Sequence, residues 1–266
     1  VSTALTAEVH ALMQRVSEAV VLPRYQSLAT HEIVEKSPGD LVTVADRESE
    51  AMLAEGLAKI LPEAAIVGEE AVHADPSLSD RLGDALCWII DPIDGTRNFA
   101  AGRPPFGLMI ALAENGVTQA GWIYDPLQQR FCHTIFGRGA FVNGERIAAR
   151  ATGETPPVAA ISMIYMDDAK REDVKTNLAP FYRLADIPYC AAEQYPRLAL
   201  GVNDVSVFER TLAWDHAAGA LWLNEAGGKC ARPDGSPYRV DEWGRKGMIA
   251  AASPALWEEL AARIGN

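Results

Sequence analysis

The chain has 266 residues, with 24 basic and 36 acidic side chains, a formal net charge of −12, and 48% hydrophobic residues. This composition excludes disorder, a collagen-like repeat and a disulfide miniprotein. The charge argues against a nucleic-acid backbone or an anionic membrane as partner, and makes an anionic small substrate something that needs explaining.

A chain of this size exposes roughly 11,000 Å² when folded against roughly 42,000 Å² unfolded, so it can bury a large core. Residues 4–30 carry apolar positions at helical spacing (Leu5, Val9, Leu12, Val16, Val20) and break at Pro23. No basic segment followed by an apolar stretch opens the chain, so these residues read as an amphipathic helix and not as a signal peptide. A turn is expected over residues 36–40, an extended piece over 41–44, and a helix from Asp46 to about Leu61, ended by Pro62. Residues 65–67 and 86–90 read as buried strands. Residues 106–141 read as an antiparallel meander with turns at Glu114-Asn115-Gly116 and Asp125-Pro126, closing at Val142-Asn143-Gly144.

Pro156-Pro157 marks a boundary. Beyond it the pattern predicts a strand over 158–165, helices over 168–178 and 193–200, and a strand over 204–208. A helix from Asp215, a strand over 248–252 and a terminal helix over 254–264 complete the chain. The domain reading is an N-terminal α+β portion through residue 152 and a C-terminal α/β portion from 153. Strands and helices come in blocks, which favours stacked layers over a regular βαβ alternation. The longest apolar runs fall far short of the ~20 residues of a membrane span. Four cysteines without a C-x-x-C pair predict reduced thiols and a cytoplasmic protein, and five scattered histidines argue against zinc.

Four segments concentrate the chemistry: Gly68-Glu69-Glu70; Asp91-Pro92-Ile93-Asp94-Gly95-Thr96-Arg97-Asn98-Phe99; Trp214-Asp215-His216-Ala217-Ala218-Gly219; and Asp46. Asp91 and Asp94 follow a buried strand three residues apart. Like charges held close in a low dielectric repel and raise each other's pKa. Hard divalent cations remove that cost, and Mg²⁺ prefers oxygen ligands. Gly95 permits a tight turn, and the Gly95 and Thr96 amides at the start of a helical turn form a phosphate cradle. Each residue alone also has an ordinary use. Asp215 and Asp46 suit helix caps, Asp91 and Asp94 suit turns, Glu69 and Glu70 suit a solvated pair, and His216 suits a helix surface.

Together these segments resemble the inositol monophosphatase family, within the superfamily of Mg²⁺-dependent, often lithium-sensitive phosphatases. The family is marked by G-E-E, D-P-I-D-G-T-x-N-F and W-D-x-A-A-G with a following E-A-G-G, found here as Glu225-Ala226-Gly227-Gly228. The resemblance implies an αβαβα sandwich of the α+β class, two or three Mg²⁺ ions and a homodimer. It implies that Glu69, Asp91 and the Ile93 carbonyl hold one ion, and that Asp91, Asp94 and Asp215 hold a second. Glu69 and Glu70 position a third and its water. Thr96, bonded to Asp46, orients and deprotonates the attacking water. Gly95 and Thr96 amides hold the phosphate, and Asp94 also faces the substrate. Attack is direct, with no phosphoenzyme.

The family's Gly-Ser/Thr-Ala-Ala stretch is altered here to Cys190-Ala191-Ala192-Glu193-Gln194-Tyr195-Pro196-Arg197. Its later acidic position falls on Phe208 or Glu209. Glu193, Tyr195, Arg197 and Glu209 are therefore the candidate substrate wall. The expected substrate is inositol monophosphate or a similar small polyol or sugar phosphate. The alternatives are histidinol phosphate, 3′-phosphoadenosine 5′-phosphate and fructose 1,6-bisphosphate. A phosphoaspartate mechanism of the haloacid-dehalogenase type requires D-x-D, whereas this chain has D-x-x-D. A metal- or phosphosugar-binding protein without catalysis is the remaining reading.

Overall fold

The computed structural model describes residues 2–37 and 40–264. The N-terminal apolar stripe forms α1 (Thr3–Val16), with the Ser2 hydroxyl accepting the Leu5 N–H at 3.2 Å. A π-helical turn (Ser17–Val21) leads into α2 (Leu22–Arg24), which runs one residue past the expected break at Pro23. β1 (Ile33–Ser37) and β2 (Asp40–Thr43) pair antiparallel across the expected turn, whose Pro38 and Gly39 lie outside the described residues. Next comes α3 (Val44–Ile60). Its cap is Thr43 and not Asp46. Asp46 is the third helical residue and reaches back to accept the Thr43 N–H at 2.8 Å, closing a capping box.

β3 (Ala65–Gly68), β4 (Cys87–Asp94), β5 (Gly107–Glu114), β6 (Val117–Asp125), β7 (Arg130–Ile135), β8 (Ala140–Val142) and β9 (Glu145–Ile147) form a seven-stranded sheet in chain order. β3 and β4 are parallel and the later pairs antiparallel. α4 (Glu69–Ala74) follows β3 and α5 (Thr96–Ala100) follows β4. The second sheet contains β10 (Val158–Ile161), β11 (Arg183–Leu184), β12 (Val205–Phe208), β13 (Lys229–Ala231) and β14 (Met248–Ala251), in the order β11-β10-β12-β14-β13. β10 stops at Ile161, short of the expected Tyr165, and the chain leaves the sheet there. The remaining helices are α6 (Asp168–Asp173), extended by a π-helical turn (Val174–Leu178), then α7 (Ala191–Ala199), α8 (Ala213–Glu225) and α9 (Pro254–Ile264).

Side-chain alternation along the strands builds the layers. Trp88 and Ile90 face Val9 and Leu12 of α1 and Leu53 and Leu57 of α3. Ile89, Met109 and Ala111 face the other way, onto Tyr195 and Leu198 of α7 and Ala217 and Leu223 of α8. Met248, Ala250 and Cys230 of the second sheet reach the same two helices from their far side. Ile249 and Ala251 point outward onto Val174, Leu178, Trp257 and Leu260. The result is the expected αβαβα sandwich. α8 lies between two sheets and is therefore apolar around nearly its whole circumference.

Candidate metal and phosphate site

Parallel pairing of β3 and β4 brings Gly68 and Ile90 to the same end of the sheet, in register. Glu69 and Asp91 follow directly. β4 does not stop at Ile90 but continues through Asp94, and its pairing with β5 slips between Asp91 and Asp94. In a regular strand, residues three apart point to opposite faces. The irregularity re-aims them, and one oxygen each of Asp91, Asp94 and Asp215 lie within 4.8 Å of one another. Asp215 is the third residue of α8, behind Leu212 at the cap position, so it does not cap the helix. Asp94 Oδ2 also accepts the Ala192 N–H at 2.6 Å, which ties the cluster to α7.

Glu69 and Glu70 open α4. They are not a solvated pair, because Lys36 Nζ lies 2.9 Å from Glu69 Oε1 and 2.8 Å from Glu70 Oε1. Glu69 lines the same cavity as Asp91, Asp94 and Asp215, whereas Glu70 is not among the residues that line it. Gly68 has no room for a side chain: a Cβ there would lie 2.3 Å from Glu50 Cδ. The Glu50 carboxylate accepts the Glu70 and Ala71 N–H groups, each at 2.8 Å, and so fixes the start of α4.

Gly95 adopts φ +84°, and a Cβ there would meet the Pro105 carbonyl at 3.0 Å. This left-handed turn ends β4 and starts α5. Thr96 Oγ1 lies 2.9 Å from the Ile93 carbonyl oxygen and 3.1 Å from Asp46 Oδ1. The expected Thr96–Asp46 pair is therefore formed.

Burial dominates the electrostatics. It pushes the Asp46 carboxyl up to about 7, against the Thr43 hydrogen bonds. Burial, with repulsion from Asp215, pushes Asp94 up to about 7. Glu69 rises to about 8, again mainly through burial and despite Lys36. Asp91 rises well above the carboxylate range through burial and the Glu69 and Asp94 charges. Arg210 Nη2 stands 3.7 Å from Asp215 Oδ2. Convergent buried oxygens that repel one another fit a hard divalent cation, which supplies the compensating charge.

Four expectations need correction. Glu193 and Arg197 do not line the cavity. The Glu193 carboxylate is held by Arg130 at 2.5 Å and by Arg197 at 2.9 Å, and the next residue of α7, Gln194, lines the wall instead. A helix turns about 100° per residue, so a shift of one position changes the face. Tyr195 is fully buried, with its hydroxyl 2.9 Å from His216 Nδ1. His216 is buried and not on a helix surface. Its Nε2 lies 3.1 Å from the Arg210 carbonyl oxygen, and burial lowers its pKa to about 3. Both ring nitrogens are engaged internally, so His216 has no acid–base part here.

Glu209 and Phe208 both line the cavity, and Glu209 Oε1 pairs with Lys170 Nζ at 2.6 Å. The cavity is about 230 Å³. Sequence reasoning missed the basic and aromatic groups at its mouth: Arg97, Arg210, Tyr165 and Tyr189. Arg97 stands at the variable position of the D-P-I-D-G-T-x-N-F motif and was the one detectable signal.

The family model described as "Inositol monophosphatase family" matches residues 3–266. The chain is 32% identical over 230 residues to an inositol-1-monophosphatase of Bacillus subtilis, covering 84% of this chain and 83% of that protein. It is 32% identical over 240 residues to a histidinol-phosphatase of Chlorobaculum parvum, covering 88% and 87%. Among solved structures, the extragenic suppressor protein suhB of Bartonella henselae superposes with a TM-score of 0.82 at 26% identity, over 98% of both chains.

Proposed function

The chain belongs to the inositol monophosphatase family of phosphatases, and from that membership we propose that it is a Mg²⁺-dependent hydrolase of small phosphate monoesters. The observation that carries this reading is the convergence of Asp91, Asp94 and Asp215 within 4.8 Å, beside a Thr96–Asp46 hydrogen bond. Asp91, Asp94 and Asp215, with Glu69 and the Ile93 carbonyl, would hold two ions, and Glu69 with Glu70 would help position a third and its water. When bound, Mg²⁺ supplies water activation, charge neutralisation and leaving-oxygen stabilisation.

The chain's own groups do the rest. The Gly95 and Thr96 amides, at the first turn of α5, hold phosphate oxygens. Thr96 Oγ1 orients the attacking water. As the water gives its proton to Thr96 Oγ1, the Thr96 hydroxyl proton passes to Asp46 Oδ1, 3.1 Å away, so Thr96 stays neutral. A carboxyl poised at about 7 is matched to accepting a proton near neutral pH. The leaving group lies toward α7 and the loop after β12, where Gln194, Phe208 and Glu209 line the cavity. The four buried, unpaired cysteines support a reducing, cytoplasmic setting. Division near residue 152 and homodimer assembly complete the reading. Light scattering checks the dimer, expecting twice the chain mass.

The test is phosphate release from inositol 1-phosphate, histidinol phosphate, sugar phosphates and 3′-phosphoadenosine 5′-phosphate, with Mg²⁺ and with EDTA. Release that needs Mg²⁺ supports the proposal, and absence of release across the panel defeats it.

A further inference from the structure

Two arginine–tyrosine pairs stand in the mouth of the cavity. The Arg210 guanidinium lies over the Tyr165 ring, 4.1 Å from its centroid, and Arg97 lies over Tyr189 at 5.9 Å. The pairs come from four separate places: the loop after β12, the loop after β10, α5, and the segment leading into α7. All four residues line the same cavity as Asp94 and Asp215. The tyrosines are 46% and 48% exposed, so each ring supports a guanidinium at the opening and not in the core.

Arg210 also meets Asp215, but at 3.7 Å. That places the Arg210 guanidinium at the edge of the acidic cluster, beyond the roughly 2.7–2.9 Å of a charge-assisted hydrogen bond. The acidic group expected to grip hydroxyls at this end, Glu209, is already matched by Lys170 at 2.6 Å. Ile164, Ile187 and Pro188 also line the cavity, and its neutral hydrogen-bonding side chains there include Ser162, Gln194, Tyr165 and Tyr189. Guanidinium groups are built to take carboxylate or phosphate oxygens.

We propose that Arg210 and Arg97 are specificity-determining residues that recognise a second anionic group, carboxylate or phosphate, on the leaving group of the substrate. This rests on the phosphatase reading above and narrows its substrate class from neutral polyol phosphates to phosphomonoesters with a further negative charge. It also bears on the net charge of −12: two guanidinium groups line the cavity that an anionic substrate would enter. A charge-assisted contact of this kind is worth about ten- to a hundredfold in selectivity.

The test uses matched substrates that differ in that charge: glycerol 2-phosphate against 2-phosphoglycerate, and fructose 1-phosphate against fructose 1,6-bisphosphate. Initial phosphate release gives kcat/KM for each. Calorimetry with non-hydrolysable butylphosphonate against 4-phosphonobutyrate gives the same comparison without turnover. The charged member is expected to be preferred at least tenfold, through KM in one or both substrate pairs, and through Kd in the calorimetric pair where the carboxylate substrate pair responds. Which substrate pair responds identifies the anion as carboxylate or phosphate. Arg210→Met should collapse the ratio toward one, Arg97→Met should reduce it, and Arg210→Lys should keep part of it. Equal use of charged and uncharged members by the wild type, or a ratio unchanged in Arg210→Met, overturns the inference. Failure of all phosphate release would instead strike the phosphatase reading, and calorimetry would still decide the anion question for a carboxylate.

Discussion

Replacing Asp94 by asparagine separates the site's chemistry from the stability of the fold. The side chain is nearly isosteric, and its amide oxygen still accepts the Ala192 N–H that now meets Asp94 Oδ2 at 2.6 Å. What changes is one negative charge in a buried group of three. The folded-state pKa of Asp94 rises from 3.8 to about 7, which corresponds to about 4 kcal/mol against the charged form. Burial is the larger cause of that rise, and repulsion from Asp215 adds to it.

The sign follows from linkage. An acid with a raised folded-state pKa contributes stability that is fully present below the unfolded value of 3.8 and is lost as pH climbs through about 7. Asparagine never ionises, so Asp94→Asn should exceed wild type by about 2–4 kcal/mol at pH 8 in EDTA. The gain should shrink by more than half at pH 5. Urea unfolding at the two pH values measures this. The same variant should lose turnover and the thermal stabilisation that Mg²⁺ confers on wild type. An Asp94→Asn protein less stable than wild type at pH 8 in EDTA, or one that still turns over, refutes the reasoning.

Thr96→Ala should lower kcat by about a hundredfold or more while half-saturating Mg²⁺ stays within about threefold; a matching loss of metal affinity would assign Thr96 to metal binding. Gly68→Ala forces a Cβ to 2.3 Å from Glu50 Cδ and should cost about 2–3 kcal/mol in urea unfolding; unchanged stability would show that Glu50 does not fix the start of α4. Glu193→Gln should leave kcat/KM within about twofold, because Arg130 and Arg197 hold that carboxylate away from the cavity. It should cost about 1–2 kcal/mol of stability through the part-buried pairs. A large KM change would return Glu193 to the substrate wall.

The acidic cluster was readable in the sequence because its signals are local. An apolar strand followed by D-P-I-D-G-T, and W-D opening a helix, each fix backbone and side chain within a few residues. Both layers of strands announced themselves through apolar runs buried on two faces, as at Trp88, Ile89 and Ile90. The leaving-group end was not readable, because it depends on helix phase and on chain segments far apart in sequence. One residue of phase in α7 exchanges Glu193 for Gln194. The early end of β10 at Ile161 is what frees Tyr165 to meet Arg210 from the next strand's loop. Lys36 reaches Glu69 and Glu70 across more than thirty residues, a pairing that no local period shows. β11 and β13 span two and three residues, too short for any period to show.

Phosphate release measured against Mg²⁺ concentration, for wild type and Asp94→Asn side by side, tests the central claim most directly. The account predicts saturable release that vanishes in EDTA and is absent from the variant at every Mg²⁺ concentration. Metal-independent release, or Mg²⁺-dependent release that survives the loss of Asp94, would contradict it.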